Sequence, residues 1–307
     1  KGIKIIKVGR GNTAFDEKSL KKPLPGKNII LTIDASLQSL AYKEATHAQI
    51  KHKAKAVSIV VLDPRSGNIL AMVNTPAFDP EKRSKLSFDE VRNRSIIDNF
   101  EPGSTFKPFA IAAALEQGLV STSSVIETSP GFIKIGDKEL RDPKSFGVLS
   151  IEDILAKSSN VGTVRVALKM KPVKMYKYYE LLGFGKTPDL PLLGLAKGKL
   201  SPWQVWRDID QATISYGYGV SVTLLQLARA YSVFARNGDL IPLRISKEDR
   251  FGKSITVFSP SVVSDVRGML ERASSKTGTG SKAKVTGFLV AGKTGTSKKI
   301  KKGTYSS

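Results

Sequence analysis

The chain has 307 residues, enough for one large mixed domain or two small ones, and 40% of them are hydrophobic, which is ample for a core. It contains no cysteine, which excludes disulfides, thiolate metal sites and cysteine nucleophiles, and its two histidines, His47 and His52, share a lysine-rich stretch patterned like an exposed helix end, which speaks against a histidine metal site or a Ser-His-Asp triad. Lysine plus arginine number 49 against 27 acidic residues, a formal charge of +22 that calls for an anionic membrane face or polymer nearby, while the lack of aromatics interleaved with the basic residues argues against nucleic acid.

Residues 1–27 are polar and basic and end in Lys-Lys-Pro-Leu-Pro-Gly, the composition of a linker or a piece of a preceding domain. The sequence opens on Lys1 without a signal-like n-region or h-region, so an export signal or anchor would lie outside it. A domain is expected from residue 28 to 307, starting with the apolar run Ile29 to Ile33. A helix through Leu37, Leu40 and Ala41 follows. Val57, Ile59 and Val61 then alternate before the turn Asp63-Pro-Arg-Ser-Gly-Asn68, and Ile69, Ala71 and Val73 resume the alternation, which together predict a β-hairpin. The longest apolar run, near Val57 to Leu62, is far short of the roughly 20 residues that span a bilayer.

From 104 to 237 the apolar spacing becomes helical: Phe106 to Leu115 closed by Gly118, Ile151 to Ala156, Val164 to Met170, Met175 to Leu182, and Leu224 to Phe234 closed by Gly238. A further helix, Val262 to Leu270, leads through a Ser/Gly/Lys loop into Val285 to Val290, short and β-rich enough to be a strand. Strands at both ends of a helical insert give a mixed α/β architecture.

Three short motifs carry chemistry. Ser104 and Lys107 stand three apart at a helix start, which puts their Cβ atoms about 5–6 Å apart on one face. A lysine made neutral by burial and a nearby cation can then act as base toward the serine, and the free amides of the first turn favour an oxyanion there. Ser158 and Asn160 flank Ser159 at a bend, where Ser158 can relay a proton and Asn160 can hold a substrate amide. Lys293-Thr294-Gly295-Thr296 follows the expected strand and offers a cation and two hydroxyls for a carboxylate, with glycines that leave room for an extended peptide.

Each motif has a decoy. Ser19 with Lys22 and Ser281 with Lys284 repeat the first spacing in polar, basic segments. Ser66-Gly-Asn68 repeats the second inside the hairpin turn, and Lys276-Thr-Gly-Thr279 repeats the third with no strand before it. Gly287-Phe-Leu-Val-Ala-Gly-Lys293-Thr294 also fits the phosphate-binding P-loop pattern, the signature of a nucleotide-binding protein, but a charged run instead of an apolar helix follows it.

Taken in order, Ser-x-x-Lys, Ser-x-Asn and Lys-Thr-Gly are motifs of penicillin-binding proteins and related β-lactamases. Together with Arg92-Asn-Arg, Phe100-Glu-Pro-Gly-Ser, Ser158-Ser-Asn-Val-Gly, Tyr216-Gly-Tyr-Gly and Leu225-Gln-Leu-Ala-Arg-Ala-Tyr, they make the chain resemble the transpeptidase domain of class B penicillin-binding proteins, the septal type in particular. The resemblance implies an α/β transpeptidase fold like that of serine β-lactamases, with a central, mostly antiparallel sheet flanked by helices and a helical subdomain. It implies Ser104 as nucleophile, Lys107 as base and Ser158 in the proton relay, with Asn160, Lys293, Thr294, Gly295 and Thr296 binding substrate, and no metal or organic cofactor. Stem peptides ending in D-Ala-D-Ala, β-lactams, a membrane-embedded glycan polymerase and division proteins are the implied partners, and the outer face of the cytoplasmic membrane is the implied location. A class D-like β-lactamase or a β-lactam sensor shares the Ser-Thr-Phe-Lys tetrad. The chain stops soon after Lys-Thr-Gly, where the family continues, so the C-terminal strands are expected to be missing, and Leu190-Pro-Leu-Leu-Gly-Leu departs from the family's usual loop.

Overall fold

A computed structural model of the chain describes residues 25–79, 81, 87–249 and 251–297, and the backbone of 4–7, 16–19, 299–301 and 304–306. In chain order the elements are β1 (Lys4–Lys7), β2 (Asp16–Ser19), α1 (Ala35–His52), β3 (Val57–Leu62), β4 (Ile69–Thr75), α2 (Phe88–Val91), α3 (Arg94–Ile97), α4 (Lys107–Glu116), β5 (Val125–Glu127), β6 (Phe132–Ile135), β7 (Lys138–Arg141), β8 (Val148–Ser150), α5 (Ile151–Ala156) and α6 (Asn160–Ala167). There follow α7 (Pro172–Leu181), α8 (Asp208–Ser215), α9 (Leu224–Ala235), β9 (Asp239–Leu240), β10 (Ile255–Thr256), α10 (Pro260–Ala273), β11 (Lys299–Lys301) and β12 (Thr304–Ser306). The ladders among the described residues are two-stranded and antiparallel.

The hairpin β3–β4 forms where the alternation predicts it. Asp63 closes the turn by accepting from the Arg65 amide at 3.0 Å and the Ser66 hydroxyl at 2.5 Å. Helix α1, capped by Asp34, lays Ala41 and Ala45 on Ala71 and Val73, small residues that let helix and strand approach closely. Its Gln38 side chain donates to the Met72 carbonyl at 3.1 Å and accepts from the Met72 amide at 2.8 Å, so a side chain completes the outer edge of β4 as a strand would. Leu31 and Ser246 form an isolated bridge, and Thr32 N bonds to Ile245 O at 2.8 Å, which ties the chain before α1 to the segment after β9.

The main core surrounds α4. Residues Lys107 to Ala114 are all buried, so this helix is enclosed on every side, packed by α6, α7 and α10, with Phe106, Phe109, Tyr179, Phe184 and Phe234 clustered at its start. That placement takes Lys107 out of water. Helix α9 starts with a reciprocal cap between Thr223 and Gln226.

Two expectations change. Val285 to Val290 is not a strand: none of the described residues pairs with it, Val285, Phe288 and Leu289 are 51%, 74% and 87% exposed, and the segment is held by a turn and by Gly292 N bonding to Leu270 O at 3.2 Å. An apolar run has β propensity, but a strand needs a ladder partner to satisfy its backbone. The helix expected over Val164 to Met170 instead spans Asn160–Ala167, because Ser159 caps it four residues earlier. Among the decoys, Lys276 is exposed in the turn after α10 and Ser281 begins an exposed short turn, while Lys22 lies outside the described residues.

Candidate active site

The turn before α4 is built by three pieces of chain lying backbone on backbone. Phe100 and Val222 exchange two bonds of 3.0 Å, Gly103 N donates to Gly217 O at 3.1 Å, and Gly219 N donates to Glu101 Oε1 at 2.8 Å. A Cβ on Gly217 would lie 2.2 Å from Gly103 O, and one on Gly103 would lie 2.4 Å from Thr296 O, so only glycine fits at either position. Ser104 stands in the resulting short 3₁₀ turn, half-buried, its hydroxyl without a hydrogen-bond partner among the described residues. Thr105 Oγ1 donates to Pro102 O at 2.7 Å, and the Tyr231 hydroxyl donates to Thr105 O at 2.6 Å, fixing the turn from below.

Lys107 lies one turn on, with no exposed surface. Its amine donates to Ser158 O at 2.5 Å and to Ser158 Oγ at 3.2 Å. Burial, and then the charge of Lys293, push this lysine well below its ordinary range, against the pull of Asp142. A neutral amine has two N–H groups and one lone pair. With both N–H groups on Ser158, the lone pair is left to take a proton.

Ser158 has φ +59, a left-handed backbone that non-glycine residues seldom adopt. The Lys293 amine donates to the same Ser158 Oγ at 3.0 Å, and to Thr294 O at 3.1 Å. Burial lowers Lys293 to about 8. One hydroxyl therefore accepts from two amines and keeps its own proton free to donate.

Asn160 Nδ2 donates to Arg141 O at 2.8 Å, and Thr294 Oγ1 donates to Thr279 Oγ1 at 3.2 Å. Gly295 packs on Thr105 and Pro102, where an added Cβ would meet Thr105 Cγ2 at 2.7 Å, and Thr296 O accepts from the Tyr218 hydroxyl at 3.2 Å. The structure thus gathers Ser104, Lys107, Ser158, Lys293, Gly295 and Thr296, while Asn160 faces a neighbouring cleft of about 1060 Å³ lined also by Leu140, Arg141, Thr213 and Tyr218. The decoys Ser66 and Lys276 take part in none of these contacts, and Lys293 opens no helix among the described residues, which removes the P-loop context.

Sequence patterns did not single out Asp142, Glu101, Gly217 or Tyr218 for a role. Asp142 follows a charged β-hairpin and matches no motif, and Tyr218 was visible only inside Tyr216-Gly-Tyr-Gly. Among the described residues, no group of acidic or histidine side chains could hold a metal ion, and no helix is long and apolar enough to cross a membrane.

Residues 57–307 match the transpeptidase family described as the penicillin binding protein transpeptidase domain, and the chain belongs to this family. It is 39% identical over 303 residues to the probable peptidoglycan D,D-transpeptidase PenA of Neisseria gonorrhoeae, covering 98% of this chain and 52% of that protein. It is 38% identical over 299 residues to the peptidoglycan D,D-transpeptidase FtsI of Escherichia coli K12, covering 97% of this chain and 50% of that one. The chain therefore spans about half the length of these curated relatives. The apo transpeptidase domain of Burkholderia pseudomallei penicillin-binding protein 3 superposes with a TM-score of 0.84 at 38% identity, covering 92% of this chain and 82% of that one. The fold is accordingly the penicillin-binding transpeptidase fold, α/β with antiparallel strands and a large helical part.

Proposed function

We propose that this chain carries the centre of a peptidoglycan D,D-transpeptidase that works through an acyl-enzyme on Ser104 and is acylated at the same residue by β-lactams. The observation that carries the proposal is the meeting of a fully buried Lys107 and a half-buried Lys293 on the one hydroxyl of Ser158, beside the Ser104 turn. Lys107 takes the Ser104 proton as Oγ bonds to the carbonyl carbon of the penultimate D-alanine. The charge moves to the carbonyl oxygen, opposite the amides of Ser104 and Thr296. Collapse breaks the C–N bond, the departing D-alanine amine receives the proton through Ser158, and an ester remains on Ser104. An amine of a second stem peptide attacks that ester, returns its proton along the same relay, and restores Ser104 as the new amide forms.

Lys293, Thr294 and Thr296 hold the terminal carboxylate, Asn160 holds a substrate amide, and Gly295 gives the peptide room; no metal or organic cofactor enters these steps. Carboxylate binding needs a protonated Lys293, so acylation by a carboxylate-bearing β-lactam should fall as pH rises through about 8. Lys293→Arg, which keeps its charge, should lose that alkaline limb, and an unchanged limb in a pH series of acylation rates would remove Lys293 from the role.

The relatives are named peptidoglycan D,D-transpeptidases, which supports stem peptides, not nucleic acid, as the polymer recognised. The septal-type motifs of the sequence extend the proposal to a septal role, with division proteins and a membrane-embedded glycan polymerase as partners. We place the protein outside the cytoplasmic membrane, anchored by a helix N-terminal to this sequence, with residues 1–27 leading into a domain of 28–307. A thioester analogue of D-Ala-D-Ala plus a D-amino acid acceptor tests the activity. A new amide seen by mass spectrometry and lost in Ser104→Ala is expected, and hydrolysis with no amide product counts against transpeptidation.

A further inference from the structure

We propose that Tyr231 is a positioning residue for acylation: its hydroxyl bonds a carbonyl of the Ser104 turn that the helix leaves without a donor, and so holds that turn in place against the Lys293–Thr296 segment. The inference rests on the proposed role of Ser104.

The need for an outside donor follows from the run Ser104-Thr-Phe-Lys-Pro108. Helix α4 takes Phe106 as its N-cap, so Phe106 accepts the first α-helical bond and the Thr105 carbonyl lies outside the ladder. Continuing the 3₁₀ turn would bond Thr105 O to the N–H of residue 108, and residue 108 is a proline, which has none. Tyr231 reaches over from α9 and supplies the donor at 2.6 Å. Burial holds its phenol protonated far above the ordinary tyrosine range, so the hydroxyl donates at every pH at which the site works.

Thr105 is also where the two sides of the site touch. Its Oγ1 donates to Pro102 O at 2.7 Å, which closes the turn around Ser104. Gly295 lies against it so closely that an added Cβ would stand 2.7 Å from Thr105 Cγ2 and 3.4 Å from Thr105 N. A shift of Thr105 therefore changes where Ser104 stands relative to Thr296, and the amides of those two residues face the oxyanion in the proposed reaction.

Packing alone does not account for the hydroxyl. The Tyr231 ring meets Phe109 and Phe234 at centroid distances of 5.2 and 6.0 Å, contacts that phenylalanine would keep. Tyr179 provides the comparison in the same core. It is fully buried with its ring 4.9 Å from that of Phe106, and its hydroxyl has no hydrogen-bond partner among the described residues.

The experiment follows acylation by a fluorescent penicillin over a concentration series, separating the rate at saturation from the half-saturating concentration. It compares wild type, Tyr231→Phe, Tyr179→Phe, Pro108→Ala and the double variant Tyr231→Phe/Pro108→Ala. Tyr231→Phe should lose about 30-fold in the saturated rate with half-saturation unchanged, within the roughly 100-fold that a misplacement of about 1 Å can cost. Tyr179→Phe should acylate at the wild-type rate. Pro108→Ala gives residue 108 an N–H at the spacing that suits Thr105 O, so in that background Tyr231→Phe should lose only about threefold.

A folded Tyr231→Phe protein with the wild-type rate overturns the inference. So do equal losses in the two phenylalanine variants, or the same loss from Tyr231→Phe in both backgrounds at residue 108. If Pro108→Ala does not fold, the comparison of Tyr231→Phe with Tyr179→Phe decides. Absence of acylation in the wild type would count against the proposed function, and hydrogen exchange without drug would then decide the part played by Tyr231. The amides of residues 104–107 should exchange about tenfold faster in Tyr231→Phe than in wild type, and unchanged exchange overturns the inference.

Discussion

Lys107→Met is expected to slow acylation of Ser104 by about 1000-fold, the scale of removing a positioned general base. Methionine fills nearly the same volume in the buried start of α4, so the helix and its aromatic cluster keep their packing. What disappears is the amine that donates to Ser158 O and Oγ. Stability separates this loss from unfolding. Because burial depresses Lys107, the folded protein binds fewer protons than the unfolded chain between that lowered value and the ordinary lysine range. In that window Lys107 makes stability rise with pH, and below it the full cost of a buried cation is present. Lys107→Met removes that cost, so its stability relative to wild type should be most favourable at the acid end. Urea unfolding at several pH values, run beside the acylation rates, checks both signs. A variant that acylates at near-wild-type speed would show that another group is the base.

Gly217→Ala should act through the backbone. Its φ is +88, and a Cβ there would meet the oxygen of Gly103 at 2.2 Å and its nitrogen at 2.5 Å, atoms of the residue just before Ser104. The left-handed penalty and the overlap together should cost about 3 kcal/mol, and the two backbones must part to relieve them. Parting breaks the 3.1 Å bond from Gly103 N to Gly217 O and moves the Ser104 turn, with a further loss of about 100-fold in acylation. Gly118→Ala is the control. Gly118 has φ +65 and nothing within 4 Å of an added Cβ, so it should show only a backbone cost of about 1 kcal/mol and an unchanged rate. Thermal unfolding and acylation of both variants would check this, and equal behaviour of the two would mean that the Gly103 approach is unimportant.

The site was legible in sequence to the extent that its spacings are local. Ser104 and Lys107 lie on one turn, and their order with Ser158, Asn160 and Lys293 separates them from their imitators, since Ser66 belongs to the Asp63 turn and Lys276 to the loop after α10. Contacts made across the chain were not legible. Asp142 reaches residues 17 to 19 positions away from a segment with no motif, and Tyr218 reaches Thr296 across 78. The ladders β5–β8 and β6–β7 escaped because their strands are three or four residues long, too short for alternation to register. Helix α8 was missed as well, its apolar residues few among Asp208, Asp210 and Gln211. Val285 to Val290 fails in the opposite way. Its composition suits a strand, but strand formation depends on a neighbour that local composition does not supply.

The central claim is that Ser104 is the nucleophile and that Lys107 and Ser158 serve it. Intact mass and peptide mapping after brief exposure to a β-lactam test this most directly. One adduct per chain on the peptide carrying Ser104, stable over many minutes, absent in Ser104→Ala and strongly slowed in Lys107→Met, is the expected result. An adduct that survives Ser104→Ala, or a drug that is hydrolysed without accumulating on the protein, would contradict it.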